Sequence, residues 1–439
     1  MNTNTWKNWI PGVLSDSQVK ELIKDGLLMH LEPDSGDIDA SAINLRLAAG
    51  TAWRMKKGAV KPFGGNYEHF LNTSGYAEEI EFNNAQSLQT RTTYVFKLKL
   101  VFSRQFMKAG CFNGHATGRS SVGRVDVLTR LIVDGMDQYE GFSGDRIAEH
   151  GSGSLFLEVT PITFAVCVKP DTALSQLRLF FGLPESCLIE GRDIVRTTLR
   201  SEETNEFPDG VLSLSLQPEQ HDLISAFGAK IEGRDGGKDL HPRAPVSLWK
   251  LNENEKPSPS DYWHRIKAQP SEQYRDWFIE IQHTYFYILK SHEKLCLPSG
   301  VAVYCKPSDE TIGEMRIHYA GFVHPWFGMN REDGEEGTPL IFEVRGTIFQ
   351  QYLDIKKSWL ASSTTGCPAI QKDPKRPTRA PTKTKASSFQ AISKTGQRLR
   401  KNEGSSNCPD YTARRERVVR PPDQPEKCRV RTGEYLSRN

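Results

Sequence analysis

The stretch of the chain richest in reactive groups is "TGRSSVGRVDVLTR" at residues 117–130. It sets Arg119, Ser120, Ser121 and Arg124 close together, with Gly118 and Gly123 among them. Guanidinium groups, hydroxyls and glycine-exposed backbone N–H groups are the donors a polyphosphate needs. A basic surface turn would have the same composition, and on this stretch alone both readings stand. The run Val125, Val127 and Leu128 that follows, ending at Arg130, has the character of a strand.

A second candidate is Glu158 in "SLFLEVTPITF", flanked by Leu155, Leu157 and Val159. A carboxylate taken out of water has its pKa raised, which suits a general base or acid near neutral pH. Side chains alternate along a strand, so a Glu158 that points to water is the competing reading. Glu343 has a similar setting in "TPLIFEVRG".

Strands must position these groups. "DASAINLRLAAGTAWRM", "TTYVFKLKLVF", "GSLFLEVTPITFAVCV" and "SQLRLFF" are apolar or alternating, and Gly, Pro and Asp turns separate them. "LSDSQVKELIKDGLL" predicts a short helix, capped by Ser15 or Ser17 and stopped at Gly26. "EGRDGGKDLHPRAP" (232–245) reads as a linker, and "SPSDYWHRIKA" as a second short helix capped by Ser258 or Ser260. Strand patterns then return in "QHTYFYILKS", "SGVAVYCK", "EMRIHYAGFVHP" and "TPLIFEVRG". The order repeats: an aromatic strand ("TTYVFKL", "HTYFYIL"), a turn with a basic residue, a hairpin region, then "LFLEV" or "LIFEV". This predicts an internal duplication with Glu158 and Glu343 at matching places.

From residue 361 onward 18 Lys and Arg face 7 Asp and Glu, a surplus of 11. The net charge of +3 therefore leaves the first 360 residues at −8, so no nucleic-acid partner is expected for the folded body. The tail is rich in Pro, Lys, Thr and Ser and is expected to be disordered. No apolar run approaches the roughly 20 residues that span a bilayer, and the N-terminus has no secretory pattern. A cytoplasmic location without membrane partners is expected. The eight cysteines include no C-x-x-C pair and are expected to be free thiols.

Arg119-Ser120-Ser121 together with the Glu158 strand resembles the dCTP deaminase and dUTPase superfamily, most closely its long, duplicated bacterial dCTP deaminases. In that comparison Arg146-Ile147 stands for the family's β-hairpin, twelve positions before Glu158. "DASAINLRL" is similar to an early family strand, with Asn44 in place of its Asp, and Gln176 in "SQLRLFF" to its closing strand. The resemblance implies a mainly β protein: two tandem, distorted dUTPase-like β-barrels with short helices. Residues 1–185 would form the first barrel with the catalytic motifs. Residues 186–245 would connect, 246–360 would form a second, degenerate barrel, and 361–439 the basic tail.

The implied reaction is dCTP plus water giving dUTP and ammonia. Glu158 would move the proton, and Arg124 would orient the ligand near the reacting end. Arg119, Ser120, Ser121, Arg146 and Gln176 would bind substrate. The family uses no zinc, and the chain lacks the H-x-E and P-C-x-x-C ligands of the zinc deaminases. Magnesium would ride on the triphosphate. A homotrimer with sites between barrels is implied, with dTTP as a possible feedback inhibitor.

Three departures qualify the match. Where the family hairpin carries an Asp, the two repeats have Ala148 and His324, which speaks against the alternative of a dUTP diphosphatase or bifunctional enzyme. Where the second repeat should carry its Arg-Ser-Ser motif it has Lys306, Ser308, Asp309 and Glu310. The acids would repel phosphate, so that half reads as structural or regulatory, and a non-catalytic nucleotide-binding protein stays open as a third reading. After Gly346 the expected closing strand is absent from the pattern.

Overall fold

The computed structural model describes residues 5–39 and 41–184. Beyond them it describes 188–189, 198–200, 212–216, 224–231, 244–271, 276–298, 301–305, 315–317, 322–329, 337–346, 351–354 and 362–365. Lys306, Ser308, Asp309 and Glu310 lie outside the described residues, as does most of the 232–245 linker. Of the tail expected from residue 361 only 362–365 is described, and there the expectation of disorder is corrected: Ser362–Thr365 is a strand whose backbone pairs with Leu188–Ile189 and with Tyr304 and Cys305.

The first half is built on six strands: β1 (Ala42–Met55), β2 (Tyr94–Leu98), β3 (Phe112–Gly118), β4 (Val127–Val133), β5 (Leu155–Pro161) and β6 (Ala173–Phe181). They lie in the order β4-β5-β2-β1-β6-β3, followed by the short strand Gly141–Phe142, and every neighbour is antiparallel. The long β1 turns a corner. Its early residues pair with β6, its later ones with β2 and Ala77–Phe82, and its register to β2 shifts between Leu47 and Ala52.

Residue 140 brings the two ends of the sheet together. The Glu140 N–H donates to the Leu131 carbonyl (2.8 Å), and the Ala116 N–H donates to the Glu140 carbonyl (2.6 Å). Leu45, Leu47, Phe96, Leu131, Leu157, Val159 and Leu177 fill the interior. On the opposite sheet face Trp53, Val95, Ile132 and Phe156 pack beneath Tyr67 and Leu71 of a short helix, Tyr67–Thr73.

The helix at the N-terminus spans Asp16–Lys24 and is capped by Ser15 in a capping box with Gln18, with Gly26 at φ 70° just beyond its end. The second expected helix is a single turn, Pro259–Tyr262, with Ser258 as cap. Among the described residues no helix is long and apolar enough to cross a membrane.

The second half is centred on β7 (Ala226–Ala229), β8 (Trp263–Ile266), β9 (Phe286–Leu295), β10 (Met315–Ile317) and β11 (Thr338–Gly346), in the order β8-β7-β9-β11-β10. The duplication is visible in register. Tyr94 pairs with Val159 and Tyr287 with Val344, and each tyrosine hydroxyl accepts the N–H of the residue five positions before it, Gln89 or Gln282. Glu158 and Glu343 each sit one residue before those valines, opposite Val95 and Ile288.

Three expectations are corrected. Residues 186–245 do more than connect: Leu199–Arg200 and β7 pair with β9, and Leu214 bridges to Ser291. Arg146-Ile147 lies on a helix, Gly144–His150, rather than a hairpin. No proline interrupts it, Asp145 suits its first turn, and Ile147 is buried beneath it. The segment after Gly346 does return as a strand, since Gln351–Asp354 pairs with Asp276–Ile281. Its apolar content is too low for the pattern to show.

Candidate functional site

The 117–130 stretch folds as strand, single helical turn, strand. β3 ends at Gly118, Ser120–Gly123 makes the turn, and β4 begins at Val127. Gly118 is needed for close approach, because a Cβ there would lie 2.7 Å from Thr129 Oγ1. Asp126, at φ 57°, carries the chain from the turn into β4, and Asp is among the few residues that tolerate this left-handed conformation.

Arg124 donates from Nη2 to Ser120 Oγ (2.9 Å), and its Nε is buried without an acceptor among the described residues. Arg119 anchors its backbone N–H on the Leu174 carbonyl (3.0 Å) and reaches the Ala173 carbonyl (3.4 Å) with Nη1. Burial lowers the pKa of both arginines; Asp39 opposes this at Arg119 and Glu343 at Arg124. Ser121 is exposed at the turn. Gln176 lies beside it on β6, where Ser175 pairs with Gly118, and its Nε2 donates to Asn44 Oδ1 (3.1 Å).

Two expected members lie elsewhere. Arg146 is on the surface, 43% exposed, with its guanidinium on Asp137 (2.6 Å). Glu158 is buried as expected, but on the outer sheet face with Phe156, among partners of its own. Arg130 donates to Oε1 from Nε (2.8 Å) and from Nη2, and the Tyr139 hydroxyl donates to Oε2 (3.0 Å). The Arg130 guanidinium also stacks on the Tyr139 ring at 3.9 Å. Burial pushes the Glu158 carboxyl up, and Arg130 and Tyr139 pull it down. Among the described residues Glu158 makes no hydrogen bond or ion pair to the 119–124 turn of its own half.

The second half packs at the exit of the turn, on Asp126. Arg345 on β11 donates from Nη2 to Asp126 Oδ2 and to Thr163 Oγ1 (2.7 Å), and from Nη1 to the Thr284 carbonyl (2.5 Å). Asp126 is fully buried, and the Thr163 hydroxyl donates to it as well (2.5 Å). Glu343, also fully buried, shares the strand face of Arg345. Phe322 of the second half covers the Arg178 guanidinium at 4.0 Å.

Sequence reasoning passed over Arg130, Tyr139, Asp126 and Arg345. Arg130 could have been found by counting, since it is the basic residue three positions into β4. Arg345 carried no such signal, because its partner lies 219 positions away. Among the described residues no three His, Cys, Asp or Glu side chains gather as a metal site, and Cys111, Cys167 and Cys296 are free thiols.

The turn, the duplicated glutamate strands and the two halves can now be set beside known proteins. The profile "2'-deoxycytidine 5'-triphosphate deaminase (DCD) N-terminal domain" matches residues 10–183, and that of the corresponding C-terminal domain matches 198–350. A solved structure, 2'-deoxycytidine 5'-triphosphate deaminase from Agrobacterium tumefaciens, is similar at a TM-score of 0.67 and 23% identity. The match covers 80% of this chain and 94% of that one, and at this identity it speaks for the fold. No curated protein matches the chain. With both family domains present in order across most of its length, the chain belongs to the dCTP deaminase family.

Proposed function

We propose that the chain deaminates dCTP hydrolytically, giving dUTP and ammonia, without zinc. The observation that carries this reading is the 119–124 turn, where two half-buried arginines and two serines lie within six residues and Arg124 is already held by Ser120. Arg119, Ser120 and Ser121 would take the phosphate oxygens through charge-assisted bonds, and Arg124 would orient the ligand near the reacting end. Gln176, held by Asn44, would border the same site. A triphosphate carries about four negative charges near pH 7, more than two arginines neutralise, so magnesium would accompany it as part of the substrate. A homotrimer and feedback inhibition by dTTP belong to the same reading, as does a cytoplasmic enzyme.

Ser120 supplies the test of the grip. Its hydroxyl would touch phosphate and also seats Arg124, so Ser120→Ala should weaken dCTP far more than deoxycytidine. Loss of one hydrogen bond to a charged group costs about 1.5–3 kcal/mol, roughly 10- to 150-fold in affinity. Titration calorimetry with both ligands reads it. An equal loss for the two would place Ser120 at the base or in the fold, and the phosphate grip would have to be abandoned.

A further inference from the structure

We infer that Glu343, from the second half, is the carboxylate that serves the 119–124 grip of the first half, so that the reacting site is built within one chain from both repeats. The inference rests on the deaminase reading and assigns its proton carrier.

The alternation of β11 is the starting point. Leu340, Phe342 and Val344 enter the core of the second half, so Glu343 and Arg345 lie on the other face. The first half covers that face on both sides of Glu343. Ile288, directly across the sheet from Glu343, packs in the same cluster as Val125 and Phe164. Arg345, two positions along, bonds Asp126 and Thr163. The two contacts fall on residues 125 and 126, next to Arg124, and Glu343 is fully buried between them. The Arg124 guanidinium registers the carboxylate, since Glu343 opposes the effect of burial on it.

Glu158 holds the equivalent register position in the first half, but Tyr67 and the Tyr67–Thr73 helix cover its sheet face, and its oxygens are engaged by Arg130 and Tyr139. The duplication has therefore divided the work. The first half kept the phosphate grip, and the second kept the carboxylate that faces it.

The step balances with water alone. The Glu343 carboxylate takes one proton from water as the oxygen bonds to C4 of the cytosine, and passes that proton to ring N3. It then carries the proton of the new C4 hydroxyl to the amino nitrogen. The C4–N bond breaks, ammonia leaves, C4=O forms, and Glu343 ends as the carboxylate it began as.

The test uses the full chain with Glu343→Gln, Glu343→Asp and Glu158→Gln, and two readouts. Inorganic tripolyphosphate, followed by titration calorimetry, probes the grip without chemistry. Removing a negative charge beside Arg124 should tighten it about 3- to 10-fold in Glu343→Gln, while Glu158→Gln stays within about twofold. Ammonia release at saturating dCTP should fall about 100- to 10,000-fold in Glu343→Gln and stay within a few fold in Glu158→Gln. Glu343→Asp keeps the charge but withdraws the carboxyl, so it should bind tripolyphosphate as wild type does and still lose turnover. It decides the matter should the Gln variant fail to fold.

Unchanged tripolyphosphate affinity in Glu343→Gln, full turnover in Glu343→Asp, or a loss of turnover confined to Glu158→Gln would overturn the assignment. A wild-type chain that releases no ammonia from dCTP would overturn the deaminase reading instead. The tripolyphosphate shift would still decide whether Glu343 stands beside the grip.

Discussion

Two buried glutamates of the first half show how partners decide what a carboxyl group does. Glu158 and Glu140 are both desolvated, and both are acted on by Arg130. Glu158 also receives hydrogen bonds on both oxygens. Glu140 does not: its Oε1 is buried without a partner among the described residues, and burial pushes its pKa up to about 7, with Arg130 and Arg178 opposing. A carboxyl whose pKa is higher folded than unfolded binds protons more tightly in the native state. Its contribution is complete below about pH 4.5 and is lost as the pH rises towards about 7. Glu140→Gln should therefore raise stability at pH 8 by up to about 3 kcal/mol and leave pH 4.5 nearly unchanged. Thermal melts at the two pH values check this, and an equal change at both would place the burden elsewhere than in ionisation.

At the scale of elements, the strand β11 joins the two halves. Its Arg345 is buried, which lowers its pKa to about 10, with Arg91 adding to the effect. Asp126, its partner, has no exposure to water. Breaking such a pair from one side leaves a charge stranded, at a cost of about 3–5 kcal/mol. Arg345→Met should thus lower the unfolding midpoint sharply, and adding Asp126→Asn should recover part of the loss. A change within about 0.5 kcal/mol for the single variant, measured by denaturant titration, would show that the pair contributes nothing to joining the halves.

Much of this level was legible beforehand. Strand alternation located β1, β2, β5 and β6, and the caps at Ser15 and Ser258 marked their helices. The family resemblance misled at Gly144–His150, where a helix stands in place of the implied hairpin, because seven residues without proline satisfy either form and tertiary packing of Ile147 decides. Local pattern failed between residues 186 and 245, where single residues and short strands join a sheet whose partners lie far along the chain.

At the scale of the whole molecule, duplication was readable from order alone, but its consequence was not. The repeats suggested a working first half and a passive second one, because the Arg-Ser-Ser motif occurs once. Alternation said that Glu158 and Glu343 each face one side or the other of a sheet; it could not say what covers that side. In the first half a helix of the same half does, and in the second the neighbouring half does. That difference is set by contacts between residues more than 150 positions apart, such as Arg345 with Asp126 and Thr163.

The most direct measurement is turnover with the two nucleotides kept apart. The wild-type chain is incubated with dCTP or with dUTP, in magnesium and with a zinc-selective chelator, and ammonia and pyrophosphate are both quantified. The account predicts ammonia from dCTP in the presence of the chelator, a fall in that rate when magnesium is withdrawn, and no pyrophosphate from either nucleotide. Pyrophosphate from dUTP without ammonia from dCTP would contradict it, as would ammonia release that the zinc chelator abolishes.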